Sequence, residues 1–224
     1  MYFGDKKLSE IAVSVPGSTS LLREYDLDFC CGGSDTLANA AAEKGLNLAE
    51  IETRLTELQN SKAENPEEYW ANATYPEIID HILVRYHQRH REQLQELIVL
   101  ADRVESVHGD REDCPIGVAA ELRNVYEDLS NHMMKEEHVL FPMIKAGNYM
   151  MAQMPIRMME MEHAEHGEHL DVLKSLTNNM TPPADACNTW RALYSGIQEF
   201  ADDLMMHIHR ENNILFPRVI AENH

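Results

Sequence analysis

His132-Met-Met-Lys-Glu136-Glu-His-Val-Leu-Phe-Pro142 recurs later in the chain as His207-Ile-His-Arg-Glu211-Asn-Asn-Ile-Leu-Phe-Pro217. A second pair of segments, His87-x-x-His90-x-Glu92-x-Leu94 and His163-x-x-His166-x-Glu168-x-Leu170, is displaced by almost the same interval. Two patterns repeating at nearly one offset imply a duplicated helical hairpin, with the second copy opening near Pro155. In each copy the first helix supplies a histidine. The second supplies His-x-x-x-Glu, whose members lie one turn apart on one helical face.

Apolar periodicity places that face inside. His87 lies on the stripe Ile79, Leu83, Leu94; His132 follows Leu122, Val125 and Leu129; His163 sits between Met159 and Leu170; His207 follows Ile197, Phe200 and Leu204. Burying one ionised carboxylate is costly, and burying two at the same depth costs more. Two metal ions between them meet the need, each glutamate bridging the pair and two histidines holding each metal, with the metals roughly 3.5–4 Å apart. Imidazole and carboxylate without thiolate favour iron or manganese over structural zinc, and iron is the first choice. The expected ligands are His87, His132, Glu136, His163, His207 and Glu211. An oxo or hydroxo bridge and an open position for a small molecule complete the expectation.

The rest of the chain reads as helix. Residues 1–58 form a small helical module broken by Pro16, Gly17, the Cys30-Cys31-Gly32-Gly33 turn and Gly45. Within it Ser34 and Asn47 stand at N-cap positions before the runs 36–44 and 48–58. Residues 59–74 are polar, contain Pro66 and lack a sustained period, as a linker does. Thr74-Tyr75-Pro76-Glu77 fits a capping box opening a long helix to about Val107; Cys114-Pro115, Pro155 and Pro183 mark the starts of three more. With no strand alternation, this predicts an all-α protein: an up-down-up-down four-helix bundle over 75–224 carrying the metal site.

With 38 acidic and 19 basic side chains, the formal charge is −19. Such a field repels phosphate backbones, so nucleic acid is not an expected partner. No apolar run is long enough to span a bilayer, and the N-terminal residues do not read as a signal peptide, so a cytoplasmic protein is expected. Four cysteines are too few for a disulfide framework, and the adjacent Cys30 and Cys31 suit a reducing compartment. Neighbouring cysteines pair only with strain, so these two read as accessible thiols for a metal, a cluster or a redox partner. Cys114 and Cys187 read as incidental loop residues.

Other repeated or adjacent groups remain outside the ligand set. His90 and His166 are candidates for support of the ligands or for alternative coordination. Glu162 and Asp128 are candidates for an access path or proton route, with a solvated face as the competing reading. The methionines of 150–161 read as core or loop packing. The repeated Leu-Phe-Pro reads as structural, the proline kinking or ending each metal-bearing helix.

These motifs carry a resemblance. Asp28-Phe29-Cys30-Cys31-Gly32-Gly33, Arg-Tyr-His87, His132-Met-Met-Lys-Glu136-Glu, Glu-His163 and His207-x-x-x-Glu211-Asn-Asn-x-Leu-Phe-Pro together resemble the RIC (repair of iron centres) proteins of bacteria. Their bundle is hemerythrin-like. The resemblance covers nearly the whole chain, and it implies a di-iron centre on the six residues named above with both glutamates bridging. Asp128 departs from it, since family members carry Glu there. It also implies a cytoplasmic, often dimeric protein that restores iron-sulfur clusters damaged by nitric oxide or peroxide. Damaged iron-sulfur proteins would be the partners, and Cys30 and Cys31 would receive or guide iron. The alternatives are reduction of nitric oxide to nitrous oxide at the open site, which would make the chain an enzyme, and dioxygen binding or sensing.

Overall fold

The structure, a computed structural model, describes residues 2–61 and 64–222. Helices account for nearly all its regular elements, and no strand occurs among the described residues. The chain divides into two compact units, Ile79–Met205 and a discontinuous one made of Met1–Ile78 with Met206–His224.

The unit Ile79–Met205 is a bundle of Gln88–His108, Val118–Lys135, Tyr149–Leu176 and most of Asn188–His209. Polar ties fix its strand-free topology. Between the first two helices they run from Glu105 with Gly117 and Ala119, through Asp102 with Arg123, to Gln95 with Tyr126. Partners farther from the connecting loop are farther apart in sequence, which is the signature of antiparallel neighbours. The second and third helices are tied the same way by Lys135–Glu162 and Glu121–His169, and the first and fourth by His108 against Trp190, Arg89–Glu199 and Arg85–Asp203. The up-down-up-down order follows. Leu94, Leu97, Leu122, Val125, Leu129, Ile156, Leu170, Leu173, Leu193 and Ile197 are among its buried side chains.

Several helix boundaries differ from the sequence reading. The third helix begins at Tyr149 and carries Pro155 inside it; the fourth begins at Asn188, well after Pro183. Pro155 is the seventh residue of its helix, where it forfeits the bond to the Met151 carbonyl without ending the helix, and Pro183 lies five residues ahead of the helix it was expected to open. The second helix starts at Val118, because Gly117 at φ 103° occupies a left-handed N-cap and donates its N–H, with that of Ala119, to Glu105. Met150, Met151, Met154, Met158 and Met161 are exposed, correcting their reading as packing residues; of that run Met159 is buried, on the face that also carries Ile156 and His163.

The discontinuous unit packs short helices, Leu8–Ser14, Ser18–Glu24, Leu37–Glu43, Leu48–Asn60 and Pro66–Asn72, with the last turns of the chain. Asn47 caps its helix as expected, whereas Thr36, and not Ser34, caps Leu37–Glu43. Thr74 and Glu77 form the capping box reciprocally, the Thr74 N–H donating to Glu77 and the Glu77 N–H to Thr74 Oγ1. The stretch read as a linker contains a helix: Asn65 caps Pro66–Asn72, which has proline in its first turn. Residues 62 and 63 of that stretch lie outside the described residues. Glu67 on this helix is buried and takes both Nη groups of buried Arg210, at 2.5 and 3.2 Å.

Candidate metal centre

Three of the helical stretches that carry the repeated residues widen beside a ligand candidate. Three segments, Leu83–His87, Glu136–Leu140 and Arg210–Leu215, are π-helical, so the N–H groups of Gln88, Phe141 and Phe216 bond carbonyls five residues back. Each contains or begins at a ligand candidate: His87, Glu136 and Glu211. Two have a stated cause. Pro142 and Pro217 offer no N–H, and in a regular α-helix their rings would press on the carbonyls of His138 and Asn213; a wider turn relieves that clash. The helix then continues, as Phe141–Lys145 and Phe216–Ala221. The Leu-Phe-Pro repeat therefore neither ends nor breaks the helix.

Within the bundle unit the structure brings together His87, His132, Glu136 and His163, all buried. Glu136 Oε2 lies 3.3 Å from His87 Nε2 and 3.4 Å from His132 Nε2, and His132 Nε2 lies 3.1 Å from His163 Nε2. In the other unit His207 Nε2 and Glu211 Oε1 lie 3.3 Å apart, one turn from each other and both fully buried. These residues fall into histidine–glutamate groups that could hold a metal ion.

Carboxylates behind the rings decide what the rings present. His87 Nδ1 donates to Glu137 Oε1 at 2.8 Å, and His132 Nδ1 donates to Glu162 Oε2 at 2.9 Å. Each bond places the proton on Nδ1 and turns a bare Nε2 lone pair inward. The His87 contact, with burial opposing and Arg91 assisting, holds the Glu137 carboxyl down to about 2. The His132 contact and Lys135 do the same to Glu162. The Nε2 atoms of His87 and His132 thus converge on the Glu136 carboxylate, a set of donor atoms that fits a cation.

Glu137 escaped the sequence reading, although its position directly after a ligand candidate was a signal. Glu162 was flagged there for an access or proton role; the structure gives it the support of His132 instead. Asp128 is exposed and bonds His169, which also meets Glu121 at 2.6 Å. His90 packs against Tyr86 and Phe200, and His166 lies edge-on to His132.

Cys30 and Cys31 lie in the discontinuous unit with their sulfurs 3.9 Å apart, too far for a disulfide bond; Cys31 is half-buried, but Cys30 is buried, correcting its reading as an accessible thiol.

Residues 78–219 match the hemerythrin HHE cation-binding domain, and residues 4–59 match a domain of unknown function. The chain is 68% identical over 222 residues to a probable iron-sulfur cluster repair protein of Haemophilus influenzae, covering 99% of this chain and 100% of that one. It is 54% identical to the iron-sulfur cluster repair proteins YtfE of Musicola paradisiaca, with 98% of each chain covered, and of an Escherichia coli O81 strain, with 99% of each covered. The chain belongs to the RIC family. All six repeat-derived residues lie inside the segment that matches the cation-binding domain. No helix among the described residues is long and apolar enough to cross a membrane.

Proposed function

We propose that this RIC-family protein holds two iron ions and uses them to restore iron-sulfur clusters damaged by oxidative or nitrosative stress. His87, His132, Glu136, His163, His207 and Glu211 would hold the two ions, with Glu136 and Glu211 as the shared carboxylates. The observation that carries the reading is the buried quartet of His87, His132, His163 and Glu136, in which two imidazoles are aimed inward by carboxylates at their backs. The names of its relatives support the biological role.

Bound iron supplies Lewis acidity and a ferrous–ferric couple. The chain's own residues do the rest. Glu137 and Glu162 fix two rings and their tautomers, and the apolar bundle around Glu136 excludes water. In the ferrous state nitrogen and oxygen ligands without thiolate leave the metal exchangeable, so that it serves as cargo for a cluster that keeps its cysteines. Cys30 and Cys31 receive or guide that iron. The protein works in the cytoplasm as a homodimer, with damaged iron-sulfur proteins as clients.

The test is repair of a damaged iron-sulfur enzyme by the ferrous protein, with iron followed by isotope. Label should pass from protein to client as the cluster is restored. Restoration without transfer of label would overturn donation.

A further inference from the structure

The turn that carries the adjacent cysteines holds a second set of ligand atoms, apart from the histidine–glutamate centre. Adjacent side chains usually diverge, pointing to opposite faces of a strand or well apart around a helix. Here Asp28 prevents that. Its Oδ1 accepts the N–H groups of Cys30 and Cys31, each at 2.9 Å, and its Oδ2 accepts the N–H of Gly32 at 2.8 Å. The chain wraps around the carboxylate so tightly that a Cβ on Gly33 would run into the Phe29 carbonyl oxygen. Both sulfurs end on one side of the turn. The Cys30 Sγ is 3.1 Å from Asp28 Oδ1 and 3.9 Å from Cys31 Sγ, and ligand atoms of all three residues lie within 4.8 Å of one another.

The sulfur spacing is that of a chelate. With metal–sulfur bonds of about 2.3 Å, sulfurs 3.9 Å apart subtend about 116° at a shared cation, near the tetrahedral angle. The backbone needs no rearrangement to reach it. We propose that Cys30, Cys31 and Asp28 bind one borderline-soft divalent transition-metal cation, leaving a fourth position open for exchange. Binding breaks two S–H bonds and forms two metal–sulfur bonds; the two protons leave to solvent, and no oxidant or reductant is consumed. Until then Cys31, burial and Asp28 all keep the Cys30 thiol protonated.

The turn is also fastened to the helix that carries Glu211. Asn212 donates to the Cys30 carbonyl at 3.2 Å, and Asn213 to the Phe29 carbonyl at 2.8 Å. The two copies of the repeat diverge at these positions, where the first copy has Glu137 and His138. Glu137 supports His87 in the first copy, whereas Asn212 and Asn213 hold the thiol turn in the second. An open thiolate site so placed suits temporary custody of iron(II). This assignment deepens the iron-transfer reading and rests on it only for the physiological cation and its direction of travel.

Cobalt(II) titration of the reduced, full-length protein under anaerobic conditions tests the site. Cobalt bound to thiolate gives an intense near-ultraviolet charge-transfer band that nitrogen and oxygen ligands do not give. One cobalt per chain should account for the band. Cys30→Ser and Cys31→Ser should each abolish or strongly reduce it, and Asp28→Asn, whose amide oxygen still accepts backbone N–H groups, should weaken cobalt binding about tenfold or more. Far-ultraviolet circular dichroism confirms that the variants remain folded. No band, or a band that survives the double serine variant, overturns the proposal. If the band is present but the double variant repairs clusters at the full rate, the site stands and thiol-mediated transfer fails. If repair needs the thiols but cobalt gives no band, transfer stands and the site fails.

Discussion

Glu137 and Glu162 show how much of a buried site is settled by residues that never touch its centre. Each accepts a hydrogen bond from the outer nitrogen of a ring, keeping the proton there, and so determines what the inner nitrogen can do. Glu137→Gln and Glu162→Gln retain a hydrogen-bonding oxygen but lose the charge, and each should lower iron affinity by about 10–100-fold, read by competition with a chelator. An unchanged affinity would reduce both to surface carboxylates that happen to lie nearby. Glu67 makes a comparable point away from the metal. Burial pushes its carboxyl up, but the hydrogen bond from His209 and the charge of Arg210 outweigh that and keep it ionised. Glu67→Ala should cost about 3–5 kcal/mol in a denaturant titration, because it strands the Arg210 guanidinium in the interior. A loss under 1 kcal/mol would mean that Arg210 finds another partner.

At the scale of helices, the three π-helical segments coincide with His87, Glu136 and Glu211. A π-turn amounts to one residue more than an α-helix needs, and it persists where something is gained from it. Val139 is exposed within the segment Glu136–Leu140. Deleting it should restore an α-helical turn and keep the flanking registers, at a cost of about 3 kcal/mol as the Pro142 ring meets the carbonyl four residues back, with the metal-free protein still folded by circular dichroism. Iron affinity should fall about tenfold or more, as for other losses of ligand placement. Unaltered affinity would show that the wide turn is a passive answer to Pro142. The repeat, the four bundle helices and the burial of the repeated histidines and of Glu136 and Glu211 were legible in sequence, because buried apolar residues at helical spacing leave a plain period. The π-turns were not legible as such: Pro142 and Pro217 announced a disturbance, but a proline alone does not say whether a helix stops, bends or widens. Nor was the helix Pro66–Asn72, since a short segment with one buried face made by Glu67 leaves no apolar period to find.

Over the whole molecule, the acidic balance of −19 makes charge pairing outside the centre a pH-sensitive part of stability. His169 is the clearest case. Burial alone would lower its pKa, but hydrogen bonds to Glu121 and Asp128 raise it above the usual histidine value. Its contribution should therefore be fully present below the unfolded-state pKa and be lost as pH rises through the higher folded-state value. His169→Gln should destabilise the protein by about 0.5–1 kcal/mol on the acid side of neutrality and by less on the alkaline side. A loss that grows with pH would contradict the assignment. Metal binding is the larger whole-molecule term: at a free metal concentration 100 times the dissociation constant, binding to the native state alone adds about 2.7 kcal/mol, so a chelator should lower the melting temperature.

The most direct test is the iron content and Mössbauer spectrum of the purified, air-exposed protein. Two irons per chain in an antiferromagnetically coupled, diamagnetic diferric state are the predicted result, with Glu136→Ala and Glu211→Ala each losing the coupled pair. One metal per chain, zinc alone, or a coupled pair that survives either substitution would contradict the bridged di-iron centre.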